Sequence, residues 1–452
     1  MKTYQCPCCG APLSFSGESG KLECAACGNG YALEDVEALA REQSTNDVHF
    51  SMETSGFGGD EAMQSFICQS CGAELMTDST TVATECPYCG SPTVMPERID
   101  SGVRPQRIIP FTITQEEAQA QFAAYFKGKL LLPNFFAKSR NRIADMRKLY
   151  VPYWLFSCDA HASMTFDAQK VRKERQGDWE ITRTAHYLVI REGEMAFDNV
   201  PVDAITKLDD AITESLEPYD LSAAREFDPA MLAGAMADRA DVEAQACEGR
   251  AAARVENSIA QAVRDTVTGY DHVSERSRTV TSSGGTATPV LLPVWLITTE
   301  KQGRQYTFAI NGQTGKLTCD VPADKGKAAL WGVGVFAAVF AVAALAFYLA
   351  QSLASGTLLM AAVAALIAAV IVVGCLVGQL KQAAFESGAA NYVREDSFTI
   401  GREGDHFLYE QTERRRIEQP DQDGAQKPGA PLKAAAKTPT PNGTRRGRDA
   451  EK

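Results

Sequence analysis

The pattern of hydrophobic and polar positions is most extreme from Ala328 to Leu380, where 53 consecutive residues include no Asp, Glu, Lys or Arg. Residues 328–350 and 356–378 form two apolar blocks of 23 residues each, joined by the short segment Gln351–Ser355. At 1.5 Å rise per residue each block spans about 34 Å, enough to cross a hydrocarbon core of about 30 Å. The pattern therefore predicts a two-helix transmembrane hairpin. Both flanks then lie on one side of the bilayer. Lys325, Lys327 and Lys381 border the spans, and the connecting segment is uncharged, so both flanks are expected in the cytoplasm, at the inner (cytoplasmic) membrane. Neither block carries an ionisable side chain of the kind transport pathways need, so the pair reads as an anchor. Gly332, Gly334 and the Gly374/Gly378 pair are candidate points of close helix contact.

Before the hairpin the periodicity changes. Thr114 with Glu117 predicts a capping box opening an amphipathic helix whose apolar face carries Ala118, Phe122, Tyr125 and Phe126. Residues 150–322 read as an α+β domain. Within it, Val151-Pro-Tyr-Trp-Leu155 resembles Leu292-Pro-Val-Trp-Leu296, a repeated Pro-x-Trp strand unit whose prolines are expected at a strand start or edge. Its aromatics are expected to be core rather than a stacking platform. Trp179–Ile190 and Met195–Val202 read as further strands. An Ala-rich stretch from Pro229 to about Thr266 predicts one long helix, or two divided near Gly249. Asn311-Gly312 is a tight-turn signal.

Cysteine usage adds a different chemistry. Nine of the 13 Cys precede residue 90. The opening residues carry no apolar signal segment, so these thiols are expected to remain reduced and to ligate metal. Cys6-x-x-Cys9 is followed after fourteen residues by Cys24-x-x-Cys27, and Cys68-x-x-Cys71 after the same interval by Cys86-x-x-Cys89. Each set offers four thiolates to one tetrahedral ion. The sets are repeats, Tyr4–Leu13 over Phe66–Leu75, with Gly10, Gly28, Gly72 and Gly90 after the knuckles where a positive φ is needed. Such modules have too small a core to fold alone, and two structural Zn2+ ions are expected to stabilise them. Cys8 is a spare thiol. Cys158, Cys247, Cys319 and Cys375 have no ligand spacing and are expected to be buried small residues.

The cysteine sets resemble TFIIB-type zinc ribbons. Together with Ile109-Pro-Phe111, Tyr150–Trp154, Glu217-Pro-Tyr219, Leu292–Trp295, Asn311–Lys316 and the hairpin, they resemble a family of bacterial membrane proteins with N-terminal TFIIB-type ribbons. Some members carry a name borrowed from the primosomal replication-restart helicase, which implies nucleic-acid binding. The fold class expected is multidomain: two small zinc ribbons, an α+β domain and a transmembrane hairpin. The divisions are ribbon 1 (1–34), a linker (35–65) read as mobile in its latter part, ribbon 2 (66–97), a strand-helix connector (98–149), the α+β domain (150–322) and the spans (328–350, 356–378). A small juxtamembrane β element (381–418) and a disordered tail (419–452) complete the chain.

The formal net charge of −12 disfavours broad binding to a phosphate backbone, and residues 1–97 carry no basic run. The patterns of a phosphate-binding loop, a nucleophile elbow and a zinc-protease helix are absent from the sequence. The five histidines, 49, 161, 186, 272 and 406, are scattered; only His161 or His186 with Asp159 or Cys158 suggests a pairing. The function expected is a membrane-anchored cytoplasmic zinc-ribbon protein that binds or scaffolds a cytoplasmic protein partner without catalysis. The alternative is a nucleic-acid-binding ribbon protein without a recognisable ATPase motor.

Overall fold

The computed structural model describes residues 4–17, 19–40, 47–52, 63–78, 85–91, 94–97, 103–134, 146–301, 304–319, 321–350, 355–380 and 383–416. Gly56–Gly59, residues 351–354, Lys381 and the tail 419–452 lie outside these. The strands in chain order are β1 (Ser14–Ser16), β2 (Lys21–Glu23), β3 (Gly30–Tyr31), β4 (Ser51–Met52), β5 (Met63–Cys68), β6 (Glu74–Asp78), β7 (Val94–Glu97) and β8 (Arg107–Ile108). Then come β9 (Arg147–Gln176), β10 (Trp179–Asp203), β11 (Arg225–Glu226), β12 (Met236–Asp238), β13 (His272–Lys301), β14 (Arg304–Asn311), β15 (Leu317–Cys319) and β16 (Thr399–Arg416). The helices are α1 (Leu33–Ala40), α2 (Gln115–Tyr125), α3 (Asp210–Ser215), α4 (Ala244–Asp265), α5 (Lys325–Leu349) and α6 (Ser355–Gly378).

The chain divides into two compact units, residues 1–170 with 185–409, and residues 171–184 with 410–452. In the second unit, Gly177 turns the chain at φ 61° and accepts from Arg175 Nε at 3.3 Å. In the first, β1–β3 make a small antiparallel sheet, and the remaining strands belong to one 13-stranded sheet ordered β11-β8-β13-β9-β12-β6-β5-β7, with β10 beside β9 and β16 beside β10.

The centre of that sheet is the antiparallel pair β9 and β13. The two Pro-x-Trp units are direct partners there, Val151 opposite Leu292 and Pro152 opposite Leu291. Contrary to expectation both prolines lie inside 30-residue strands. Each still serves as an acceptor, Pro152 O from Ala204 N at 3.0 Å and Pro293 O from Gly312 N at 2.8 Å. The indoles are core, as their pattern suggested. Trp154 donates to Val242 O at 3.0 Å and Trp295 to Ile113 O at 3.1 Å, which satisfies their only polar atoms.

Period-two alternation along β9 sends its side chains to two covered faces. Trp154, Phe156, Cys158, Ala160 and Ala162 pack with Cys247, Ala251, Val255 and Ile259 of α4. Leu149, Val151, Tyr153 and Leu155 pack with Phe66, Leu75, Cys86 and Tyr88 of the second cysteine element and with Ile212 of α3. Helix α4 begins at Ala244 rather than Pro229, because the chain first makes a short 3-10 turn, a reversal at Gly234 (φ 73°) and strand β12. The expected strand pair 179–190 and 195–202 is one continuous β10. Part of the expected linker is seated: β4 pairs with β13, and Phe50 meets Phe156 edge-on at 4.9 Å.

The amphipathic helix forms as its cap predicts, with Glu117 N donating to Thr114 Oγ1 at 3.3 Å and Thr114 N to Glu117 Oε2 at 2.9 Å. Its buried face, Ala118, Phe122 and Tyr125, joins Trp295, Phe308 and Val321 in a cluster that reaches Ala328 of α5 and Leu376, Val377 and Leu380 at the end of α6. The two apolar helices are long enough and apolar enough to cross a membrane. None of the apolar stretch of α5 is buried and only 17% of that of α6 is, unlike the core helices of soluble proteins. They meet through Ala361, Ala365 and Ala369, which are buried at four-residue intervals, and through Gly332, whose added Cβ would touch Val373 at 3.6 Å. Gly334, Gly374 and Gly378 face open space instead. Small side chains set this contact, as expected, but on another stripe.

After α6 the chain is laid along α3 and α4. Ala384 N donates to Ser215 Oγ at 2.8 Å, Ala389 N to Ser258 Oγ at 2.6 Å, and Arg254 Nε to Gly388 O at 3.0 Å. The same Arg254 makes a bidentate pair with buried Glu217 at 2.9 and 2.6 Å. The segment leads into β16, an 18-residue strand of the main sheet where a small separate element was expected.

Candidate metal centres

All four Cys-x-x-Cys knuckles fold by the same local hydrogen bonds. In the first, Gly10 N donates to Cys6 O at 2.8 Å and Cys6 N to Ala11 O at 2.8 Å. The same pair of bonds closes Cys24 with Gly28 and Asn29, Cys68 with Gly72 and Ala73, and Cys86 with Gly90 and Ser91, at 2.8 to 2.9 Å. The glycines sit at φ 72°, 76°, 69° and 74°, a region that a side chain strains. This geometry turns both sulfurs of each knuckle toward one point.

The structure brings together the two predicted sets, Cys6, Cys9, Cys24 and Cys27, and Cys68, Cys71, Cys86 and Cys89; within each, all four sulfurs lie within 4.8 Å of one another. Cys6 to Cys27 and Cys9 to Cys24 are both 3.5 Å, Cys68 to Cys89 is 3.6 Å and Cys71 to Cys86 is 3.7 Å. These separations far exceed a disulfide bond of about 2.05 Å. They approach the edge of about 3.8 Å that a tetrahedron with metal–sulfur bonds of about 2.3 Å requires. Each set could hold one metal ion.

Electrostatics support the same conclusion. The Cys27 N–H, donating to sulfur, lowers the Cys24 thiol to about 6. Burial opposes ionisation of Cys68, yet the N–H groups of Cys71 and Ser70 outweigh it and bring that thiol to about 7. Their companions move the other way. Cys27 is drawn down by the Asn29 N–H but pushed further up, to about 12, by burial and the Cys6 and Cys24 sulfurs. Burial above all raises Cys86. Four crowded sulfurs cannot all ionise without a cation among them; a dication removes that penalty.

The surroundings of the two sets differ. Around the first, Cys6, Leu22, Cys24, Tyr31 and Val36 form a small cluster of their own, closed by Leu408 of β16. Asn29 Nδ2 donates to Leu408 O at 3.2 Å, and the Cys8 sulfur lies 3.8 Å from the same oxygen. Cys8 stands outside the four-sulfur set. Asp35 of α1 pairs with Arg402 and lies 2.8 Å from His406 Nε2, while the His406 ring meets Tyr31 at 5.8 Å. Nothing in the local sequence of ribbon 1 signals this docking; the opposing charge of Arg402 was the only available cue.

The second set is part of the main sheet, because β6 pairs with β12, which pairs with β9. Tyr88, inside its second knuckle, donates to buried Asp238 of β12. Lys207 Nζ donates to Cys71 O at 2.8 Å, and Arg147, paired with Glu85 at 2.7 Å, lies 3.3 Å from the position a Cβ on Gly90 would take. Two cations thus border a four-thiolate site whose net charge with a divalent ion is negative.

The other sequence candidates stay apart. His161 faces Glu194 at 3.7 Å, and His186 stacks on Tyr409 at 4.4 Å. Cys158, Cys247 and Cys319 are buried, as expected, whereas Cys375 is exposed on α6.

No protein-family model and no solved structure matches the chain. Protein YdjG of Bacillus subtilis (strain 168), described as uncharacterised, is 31% identical over 338 residues, which covers 75% of this chain and 95% of that protein.

Proposed function

The chain belongs to the same family as Bacillus subtilis YdjG, and we propose that it is a membrane-anchored protein presenting two structural zinc ribbons of TFIIB type to a cytoplasmic protein partner, without catalysis of its own. The observation that carries this reading is the pair of closed four-cysteine sets. Four protein thiolates fill a tetrahedral ion and leave no position for a substrate or an activated water. Zinc fits the all-sulfur donor set best among common divalent ions in a reducing compartment. The apolar hairpin, with Lys325 and Lys327 at its start, supports an anchor at the inner membrane with both flanks cytoplasmic. The net charge of −12 weighs against a nucleic-acid partner.

The test is affinity capture of the full chain from native membranes, with metal analysis of the product. The reading expects two zinc ions per chain, recovery from the membrane fraction and a co-purifying protein. A metal-free product, recovery in the soluble fraction, or metal-independent turnover of a substrate overturns it.

A further inference from the structure

We propose that the cleft beside the Asn311–Lys316 turn binds the phosphate of an anionic phospholipid headgroup. The cleft has a volume of about 660 Å³ and is lined by Gln121, Tyr125 and Lys129 on one side and by Thr314, Gly315 and Lys316 on the other. The inference deepens the membrane reading and rests on it.

The turn is shaped for this place. Asn311 is buried, and its Oδ1 accepts from Gln313 N at 2.8 Å and Thr314 N at 2.9 Å, which folds the loop tightly. Gly315 has φ 74°, and a Cβ there would fall 2.1 Å from Gln121 Nε2, so the α2 side chain is pressed on bare backbone. Gly312 is equally confined, with Phe111 at 2.6 Å from its added Cβ. The sequence motif therefore builds one wall of the cleft and α2 the other.

The position follows from the packing below it. Lys129 Nζ donates to Gln379 O, one residue beyond α6. Tyr125 and Phe126 share their apolar cluster with Leu376, Val377 and Leu380. The cleft is thus fixed at the end of the apolar helices, at headgroup depth for a hairpin that spans a bilayer.

The chemistry selects an anion. Among the described lining residues none is acidic, and the two charged ones are Lys129 and Lys316. The Lys316 ammonium is aimed by donation to Glu217 O, and an ammonium carries three donors. The Glu217 carboxylate itself is occupied by Arg254, at 2.6 Å. A phosphodiester between two lysines is opposite to them in sign, whereas the quaternary ammonium of a choline headgroup is repelled by them.

The experiment uses the full chain in a neutral detergent, with retained lipid measured by native mass spectrometry after addition of phosphatidylglycerol or phosphatidylcholine. Phosphatidylglycerol is expected to be retained at least about fivefold better, and Lys316→Gln to lower that retention about fivefold, the effect of one basic contact at a membrane surface. Lys316→Arg should restore it, and Lys127→Gln, which alters an exposed residue outside the cleft, should leave it unchanged. Inorganic phosphate or glycerol 3-phosphate at equal concentration should not displace the lipid. Equal retention of the two lipids, indifference to Lys316→Gln, or displacement by free phosphate overturns the proposal. Recovery of the chain in the soluble fraction instead overturns the membrane reading beneath it, so the two failures are told apart.

Discussion

Two elements with the same cysteine spacing and the same knuckle hydrogen bonds meet different fates in this fold. The first keeps its own three-stranded sheet and a five-residue core, and docks on β16 through Asp35, Asn29 and Tyr31. The second gives its strands to the main sheet and its Phe66, Leu75 and Tyr88 to the main core. The knuckle fixes a metal geometry; what the flanking strands pair with decides whether that geometry is an appendage or a structural part of the domain. A core as small as the first cannot offset its own chain entropy, so a bound metal ion would have to carry its stability. The second shares the burial of a whole domain.

The sharpest attack on this contrast is Cys86→Ser. It removes a candidate metal ligand whose sulfur lies in the main core, and the expected cost is about 4 kcal/mol or more, a fall of roughly 10 °C in the main thermal transition. An unchanged transition would mean that the second element is as detachable as the first. Next is Tyr88→Phe, which leaves the buried Asp238 without its hydroxyl donor. It should cost about 2 kcal/mol on the same transition while zinc content stays at two per chain, read by calorimetry and metal analysis.

Asp35→Ala should act only on the first element. Removing the partner of Arg402 and His406 is expected to loosen its docking by about 1 kcal/mol, seen as faster hydrogen exchange in residues 4–40 with no shift of the main transition. Cys24→Ser should likewise be confined to the first element. It should halve the bound zinc and expose the first element to protease, yet move the main unfolding midpoint by less than about 1 °C. A shift as large as that of Cys86→Ser would erase the distinction between the two elements.

The local features were legible in the sequence because each is written within a few residues. The two four-cysteine clusters are set by knuckle spacing, the α2 cap by Thr114 and Glu117, and the pair of apolar helices by the absence of charge. The long-range contacts that seat the linker and the two cysteine elements were not legible. Phe50 on Phe156, Asp238 on Tyr88 and Asp35 on Arg402 join residues far apart in the chain, and no period or motif encodes a partner at such a distance. The start of α4 was misplaced for a related reason: the apolar residues of Met236–Asp238 fit a helix as well as a strand, and pairing with β6 and β9 decided it. The helix contact was assigned to glycines, although alanines at the same four-residue interval serve equally well.

Asp35 and its partner Arg402 are separated by 367 positions. A ribosome adding about 5 to 20 residues per second emits the first long before the second, by roughly 20 to 70 s. During that interval the leading module lacks this docking surface, and on the zinc reading a captured ion would be what holds it together. The earlier-made partner of this pair waits for the later one, and if the module binds zinc, its early survival would depend on the supply of free metal in the cell.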